Sequence, residues 1–576
     1  MPNTLRVLWE GWHKRKNDEK NRLLAAITLA CMQAAGVQAA AAASPSATVP
    51  SADGKQPNVV YIILDDQRYD AFGFLNSAIH TPNMDSIAKE GTYFKNAFVT
   101  TSLCSPSRAS ILTGMYVHNH GVSDNNPSDL SHLNYFPELL RDNGYQTGFF
   151  GKWHFGGADK TATKGFAGFD RWVGLLGQGS YYPIDNYGKP TMLNIDGKMV
   201  PQKGYITDEL TDYAVDWLNT LDKKKPFMMY LSHKGVHSDF LPAKRHRGSM
   251  KEVTFPVPDT YADTPENYAG KPMWVKNQRN SWHGVDYPYN TDMDLQQYQR
   301  DYYETLRSVD DSVGRVRDWL QKQGLDKNTI IMVMGDNGFM FGEHGLIDKR
   351  NAYEESIRVP LIASGPGFAK DKVVEDIVRN IDVAPTILEA AGVAAPQHYD
   401  GQSFWRLGLD GYTVPKRKDY FVYEYFWEYS FPQTPTTFAI RTPEYKYIQY
   451  YGVWDKEELY DMQNDREEKH NLIDSTDEKI VNVKIALRKK LYEELKDRQG
   501  KNVIPYNQRT GQGQVYRHEG AGEQLAPFPR EWLKGYNHEE ILAGFIPDQV
   551  GKEAKVKASN DAVKKSEPLL KELMDK

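Results

Sequence analysis

Three features of the chain predict an α/β fold: a large mixed, mostly parallel sheet flanked by helices, with a smaller C-terminal antiparallel sheet plus helix subdomain. Four short, continuous apolar runs each end in a polar cluster. Helix-period stretches lie between these runs. Past residue 410 the pattern changes to short, alternating aromatic segments.

The first run, residues 58–64 (NVVYIIL), is β-rich and apolar throughout, as expected of a strand buried on both faces, and it ends in Asp65-Asp66. Residues 147–150 lead into Gly151-Lys152-Trp153-His154. Residues 227–231 lead into Ser232-His233 and then His237, and residues 330–334 into Gly335-Asp336-Asn337-Gly338. Residues 298–323 carry apolar side chains at Leu306, Val309, Val313, Val316 and Leu320, the spacing of a helix. In such alternating sheets ligands bind at the carboxyl ends of strands, so the four clusters are expected on one edge. Residues 420–426 and 437–451 read as a small antiparallel sheet, and residues 478–495 as the helix packed on it. A final charged helix is expected over residues 552–576. No internal repeat is present.

The 576 residues are 40% apolar and 25% charged, with a formal net charge of −6, the profile of an ordinary globular protein. A pI near 6.2 lacks the basic footprint of a polyanion-coating protein, so nucleic acid is not an expected partner. No membrane span is expected, because no uninterrupted apolar run of about 20 residues follows the N-terminal region. That region is a basic leader over residues 1–22, an apolar stretch over 23–32 and small residues over 36–43. It reads as a secretory signal peptide, with Val37-Gln38-Ala39 as a cleavage site and lipid attachment at Cys31 as the alternative. The expected division is a signal peptide over 1–43, a linker over 44–56, a catalytic α/β domain over 57–410, a C-terminal α+β subdomain over 411–500 and an extension over 501–576. Export places the protein in the periplasm, at the cell surface or outside the cell. Cys31 and Cys104 are the two cysteines. Loss or lipidation of Cys31 leaves Cys104 as a lone thiol, either reactive and modified or buried and inert.

Cys104-Ser105-Pro106-Ser107-Arg108 precedes ASILTG at residues 109–114, which places Cys104 just before a helix N-terminus, where free N–H groups favour anions. This C-x-P-S-R with its L-T-G extension resembles the modification motif of the type I sulfatases, in which the cysteine is oxidised to formylglycine. The similarity runs from about Asn58 to Leu472. It implies an alkaline-phosphatase-like fold, a sulfuric ester hydrolase activity and a maturating, formylglycine-generating partner enzyme. Position by position, it implies that Asp65, Asp66, Asp336 and Asn337 bind Ca²⁺ together with an oxygen of modified Cys104. Oxygen-only carboxylate and amide ligands suit such a hard cation independently of the resemblance.

The resemblance also implies the remaining roles. A hydrated formylglycine is a geminal diol: one oxygen attacks sulfur and the other later expels sulfate. Arg108 holds the diol oxygen and the metal cluster, and His154 takes the proton that triggers sulfate release. Lys152 and Lys349 bind the sulfate oxygens, and His237 protonates the leaving alcohol. His233 is expected to be a supporting or structural residue.

A sugar substrate needs aromatic platforms and several polar groups, and the chain has 12 Trp and 35 Tyr. Residues 239–298, with Trp274, Trp282 and His283, are either a substrate-facing insertion or a loop packed by its own aromatics. Residues 98–101 and 342–356 resemble the N-acetylglucosamine-6-sulfatase branch and related bacterial carbohydrate sulfatases, with His344 and Arg350 as candidate sugar contacts. The expected substrate is a 6-O-sulfated N-acetylglucosamine in glycosaminoglycan or mucin glycans. Open alternatives are a 2-O-sulfated uronate, a galactose sulfate, an aryl sulfate, a phosphonate or phosphodiester, or glycan binding without catalysis.

Overall fold

In a computed structural model, residues 56–125, 132–185, 188–286, 294–428, 431–451 and 455–497 are described. The expected signal peptide, most of the linker, Cys31 and the 501–576 extension lie outside the described residues.

The main sheet is built from β1 (Asn58–Leu64), β2 (Thr92–Phe98), β3 (Gln146–Gly151), β4 (Arg171–Leu175), β5 (Met192–Ile195), β6 (Lys198–Pro201), β7 (Phe227–Ser232) and β8 (Thr329–Gly335). A separate two-stranded hairpin is formed by β9 (Met340–Phe341) and β10 (Ile347–Asp348), and the sheet is completed by β11 (Leu361–Ser364) and β12 (Lys372–Arg379). The ten-stranded order is β12-β2-β11-β8-β1-β7-β3-β4-β5-β6, with five parallel and four antiparallel pairings. β1 is central and wholly buried. Its alternate residues feed two cores: Val59, Tyr61 and Ile63 face the helices Cys104–Thr113 and Val383–Ala390, and Val60, Ile62 and Leu64 face Ile206–Asn219 and Leu295–Lys322. Two covered faces explain the continuous apolar runs.

The second sheet is antiparallel, with β13 (Phe421–Tyr425), β14 (Thr436–Arg441), β15 (Tyr445–Tyr451) and β16 (Glu458–Asp461) in sequential order. Leu487 and Leu491 of the helix Glu478–Asp497 pack on Val422, Ile440 and Leu459. Among the described residues no helix is long and apolar enough to cross a membrane.

One glycine is needed to bring the functional elements together. Gly151 ends β3 at φ 125°, and a Cβ there would sit 1.7 Å from the Ser232 carbonyl oxygen of the neighbouring strand. Only a residue without a side chain lets β3 and β7 remain paired while the chain turns into Lys152. Gly151→Ala is therefore expected to destabilise the fold by about 2–4 kcal/mol, read as a lowered midpoint in chemical denaturation. A wild-type midpoint would contradict this account of the β3 terminus.

Candidate active site

Adjacent parallel strands β8, β1, β7 and β3 carry Asp336-Asn337, Asp65-Asp66, the Ser232–His237 turn and Lys152–His154 to one rim of the sheet. The helix Cys104–Thr113 aims its first residue there: Cys104 Sγ lies 3.3 Å from Asp65 Oδ1 and 4.0 Å from Asp66 Oδ1. Two site residues adopt left-handed backbone, Asp66 at φ 59° and His154 at φ 73°. For non-glycine residues this costs on the order of 1 kcal/mol each, so tertiary contacts must hold them. At Asp66 they do: its N–H donates to Asp336 Oδ1 (3.0 Å), and its carbonyl accepts from the Tyr302 hydroxyl (2.9 Å).

Asp65, Asp66 and Asp336 bring carboxylate oxygens within 4.8 Å of one another, all fully buried. Burial alone pushes each upward. At Asp65, Lys152, His237, Arg108 and Lys349 overcome it and hold the carboxyl well below its ordinary range. At Asp66 burial wins over Lys349, with Asp65 and Asp348 adding repulsion, and the carboxyl rises to about 7. Asp336 is likewise raised, by burial and then Asp65. Lys152 pairs with Asp65 and donates to Gln178 Oε1 (2.5 Å), while Lys349 pairs with Asp66. Arg108 Nε donates to Asp336 Oδ2 (2.8 Å), and its Nη1 to the Lys152 carbonyl (2.7 Å) and Ser232 Oγ (2.6 Å).

This set fits a hard divalent cation. Asp66 Oδ2 and Asn337 Oδ1 are buried without a hydrogen-bond partner, an arrangement that is costly unless a ligand takes them. Asn337 Nδ2 donates to Asp66 Oδ1 (2.7 Å) and to the Gly338 carbonyl (2.8 Å), which fixes Oδ1 as the free atom. Every donor is oxygen, as Ca²⁺ prefers.

The Cys104 thiol is raised by burial and then by Asp65, so the encoded side chain is held as a neutral thiol and is a weak nucleophile as it stands. His154 Nδ1 lies 3.2 Å from Ser105 Oγ, and burial with Lys152 keeps its ring neutral. His237 Nδ1 donates to the Ser238 carbonyl (2.5 Å), which leaves Nε2 facing Asp66 Oδ2 at 3.8 Å; burial and Lys152 lower its basicity too. His233 instead contacts Ser312 Oγ through Nε2 (3.1 Å), away from the carboxylates.

The two candidate sugar contacts stand differently. His344 is 1% exposed, its ring lies 4.1 Å from that of Tyr353, and Glu355 and Glu468 lie beside it. Arg350, next to Lys349, is fixed by Asp348 (2.6 Å) and Glu428 (2.8 Å), with Phe431 under its guanidinium. The 239–298 stretch packs largely on protein: Trp274 is buried edge-on to Tyr450 of β15. His283 approaches the site indirectly, with Nδ1 2.9 Å from Asp348 Oδ2.

Sequence reasoning missed Ser232 as an Arg108 acceptor, Gln178 as a Lys152 partner and Asp348 as the anchor of Lys349 and Arg350. Ser232 and Asp348 each adjoin a residue already singled out, so proximity was the available signal. Gln178 lies in a polar loop that carries none.

The family model described as Sulfatase matches residues 57–393, and that described as N-sulphoglucosamine sulphohydrolase, C-terminal, matches residues 342–497. An N-acetylglucosamine-6-O-sulfatase of Bacteroides thetaiotaomicron is 34% identical over 484 residues, covering 73% of this chain and 83% of that protein. The human N-acetylglucosamine-6-sulfatase is 33% identical over 361 residues, covering 59% of this chain and 62% of that protein. A solved structure, BT4656 in complex with its substrate D-glucosamine-2-N,6-O-disulfate, superposes with a TM-score of 0.70 at 31% identity, covering 78% of this chain and 99% of that one.

Proposed function

The chain belongs to the sulfatase family of sulfuric ester hydrolases, and from that premise we propose that it removes the 6-O-sulfate of a glucosamine residue, N-acetylated or N-sulfated, in glycosaminoglycan or mucin glycans. The observation that carries this reading is the convergence on Cys104 of three carboxylates and Lys152 at the ends of adjacent strands, with Arg108 from the helix that Cys104 begins and Lys349 from the end of the β9–β10 hairpin. The glucosamine assignment rests on the 6-O-sulfatase relatives. The N-terminal leader supports export to the periplasm, cell surface or exterior.

Cys104 is proposed to act as formylglycine. It is fully buried, so a maturating enzyme has to reach it before the chain folds. Asp65, Asp66, Asp336 and Asn337 would hold Ca²⁺, with an oxygen of the modified Cys104. When bound, the ion neutralises carboxylate charge and polarises sulfate oxygen. Lys152 and Lys349 exchange their carboxylate partners for sulfate oxygens, while Arg108, held by Asp336 and Ser232, orients the diol. One diol hydroxyl gives up its proton to the carboxylate cluster and forms a bond to sulfur as the sulfur–alkoxide bond breaks, and His237, entering the step protonated at Nε2, delivers that proton to the departing sugar oxygen and is left neutral. His154 then accepts the proton of the second hydroxyl, whose electron pair forms the aldehyde as the carbon–oxygen bond to sulfate breaks. Water rehydrates the aldehyde. Arg350, fixed by Asp348 and Glu428, is the proposed contact for sugar hydroxyls.

Sulfate release from 6-O-, 2-O- and 4-O-sulfated sugars tests the assignment. Preference for 6-O-sulfated glucosamine is expected, and selective cleavage of another regioisomer would overturn it. His237→Ala should lower kcat/KM on the sugar sulfate by about 10²–10⁴-fold and on an aryl sulfate of an acidic phenol far less, because a stable leaving group needs no proton. Equal losses on both would remove His237 from the role of acid.

A further inference from the structure

A cavity of about 450 Å³ opens beside His237, lined among others by Gln178, Ser180, Tyr181, Lys234 and Asp239. Lys234 and His237 belong to one tight turn, closed by the His237 N–H donating to the Lys234 carbonyl (2.9 Å), so both side chains line the same cavity. Lys234 is 4% exposed, yet among the described residues its ammonium makes no salt bridge. It has a 3.5 Å contact with the Ser238 carbonyl and lies 4.9 Å from the centre of the Tyr181 ring. Enclosed ammonium groups are normally paired with a carboxylate, and Lys152 and Lys349 in the same site are. Burial, then Lys152, draws Lys234 down to about 8 against the opposing pull of Asp65, Asp239 and Asp66, none of which pairs with it as a salt bridge among the described residues. The cavity gives an anionic group a route to hydrogen-bond distance of this ammonium. The scissile sulfate already has Lys152 and Lys349, which leaves a second negative group on the same ligand.

We propose that this cavity seats the sugar bearing the scissile ester and that Lys234 reads a second anionic group on it, an N-sulfate or the carboxylate of a linked uronate. The proposal deepens the 6-O-sulfatase reading and rests on it for the scissile bond. It is specific to charge: a neutral N-acetyl group offers Lys234 only a carbonyl, whereas an anion gains a charge-assisted hydrogen bond in a site shielded from water.

The test uses the mature, calcium-loaded protein and its Lys234→Met and Lys234→Arg variants. Turnover is compared on N-acetylglucosamine-6-sulfate, glucosamine-2-N,6-O-disulfate and a uronate-linked, N-acetylated 6-sulfated disaccharide. In parallel, binding of glucosamine-N-sulfate and N-acetylglucosamine, which lack the scissile ester, is measured by calorimetry. Expected is a preference of tenfold or more for one of the two doubly charged substrates, which identifies the anion. Lys234→Met should collapse that preference and Lys234→Arg restore part of it, with the melting temperature of the Met variant at or above wild type, because an unpaired buried cation has been removed. Equal loss on all substrates, or wild type without preference for either anion, overturns the proposal. Turnover and binding fail separately: no cleavage with Lys234-dependent binding of glucosamine-N-sulfate supports the anion subsite and overturns the reaction assignment, and 6-O-cleavage without Lys234-dependent selectivity does the reverse.

Discussion

Cys104→Ala is expected to abolish sulfate release, with a fall of at least about 10⁴-fold in kcat at wild-type folding, measured by sulfate-specific detection over long incubations at saturating Ca²⁺. The expectation follows from the geometry around the residue. Cys104 is buried at a helix N-terminus within 4.0 Å of two carboxylates, and among the described residues it is the only sulfur nucleophile. Its neighbours cannot replace it: Ser105 contacts His154, and Ser107 Oγ donates to the Asp336 carbonyl (2.5 Å). Cys104→Ser is the sharper variant. A single hydroxyl can attack sulfur but has no second hydroxyl with which to expel the product, so the account predicts a sulfated serine side chain that accumulates in the first turnover and then stalls. Steady turnover by either variant would show that the nucleophile lies elsewhere.

The second large effect is expected from removing the cation. Chelation should reduce activity by about 10²-fold or more, and Ca²⁺ should restore it where Zn²⁺ does not, because every donor atom is oxygen. Stability provides an independent readout. Ca²⁺ at 100 times its dissociation constant should add about 2.7 kcal/mol to the folded state, visible as a raised unfolding midpoint. Asn337→Ala removes one unpartnered oxygen and keeps the Arg108–Asp336 pair, so it should weaken the calcium-dependent rise without collapsing the fold. Asp336→Ala is a poorer probe: it strands the buried Arg108 guanidinium and should cost about 3–5 kcal/mol by itself. A chelated protein with full activity and an unchanged midpoint would contradict the assignment of these four residues to a metal.

Much of this arrangement was legible in the sequence because buried parallel strands write themselves plainly. β1, β3, β7 and β8 are apolar on both faces, end abruptly in polar residues, and lie side by side, so their order along the chain does not obscure the shared rim. The antiparallel insertion of β11 between β2 and β8 was not legible, because it pairs Ile362 with Tyr93 and with Val333 across long sequence separations. Residues 437–451 read as one segment and form two strands, β14 and β15, turning between Arg441 and Tyr445. The surroundings of His344 were not legible for a similar reason: Glu468, more than a hundred residues later, and Tyr353 pack beside it. Lys234 was hidden by a general expectation. Lysines are usually solvated, and only the folded chain reveals one enclosed without a salt bridge among the described residues.

The most direct test of the account is the chemical state of Cys104 in protein purified from its native host. Peptide mass spectrometry, with hydrazide capture to report an aldehyde, should find Cys104 converted to formylglycine, and the fraction converted should scale with specific activity across preparations. Fully active protein in which every Cys104 remains a thiol would contradict the proposed nucleophile and, with it, the reaction assigned to this site.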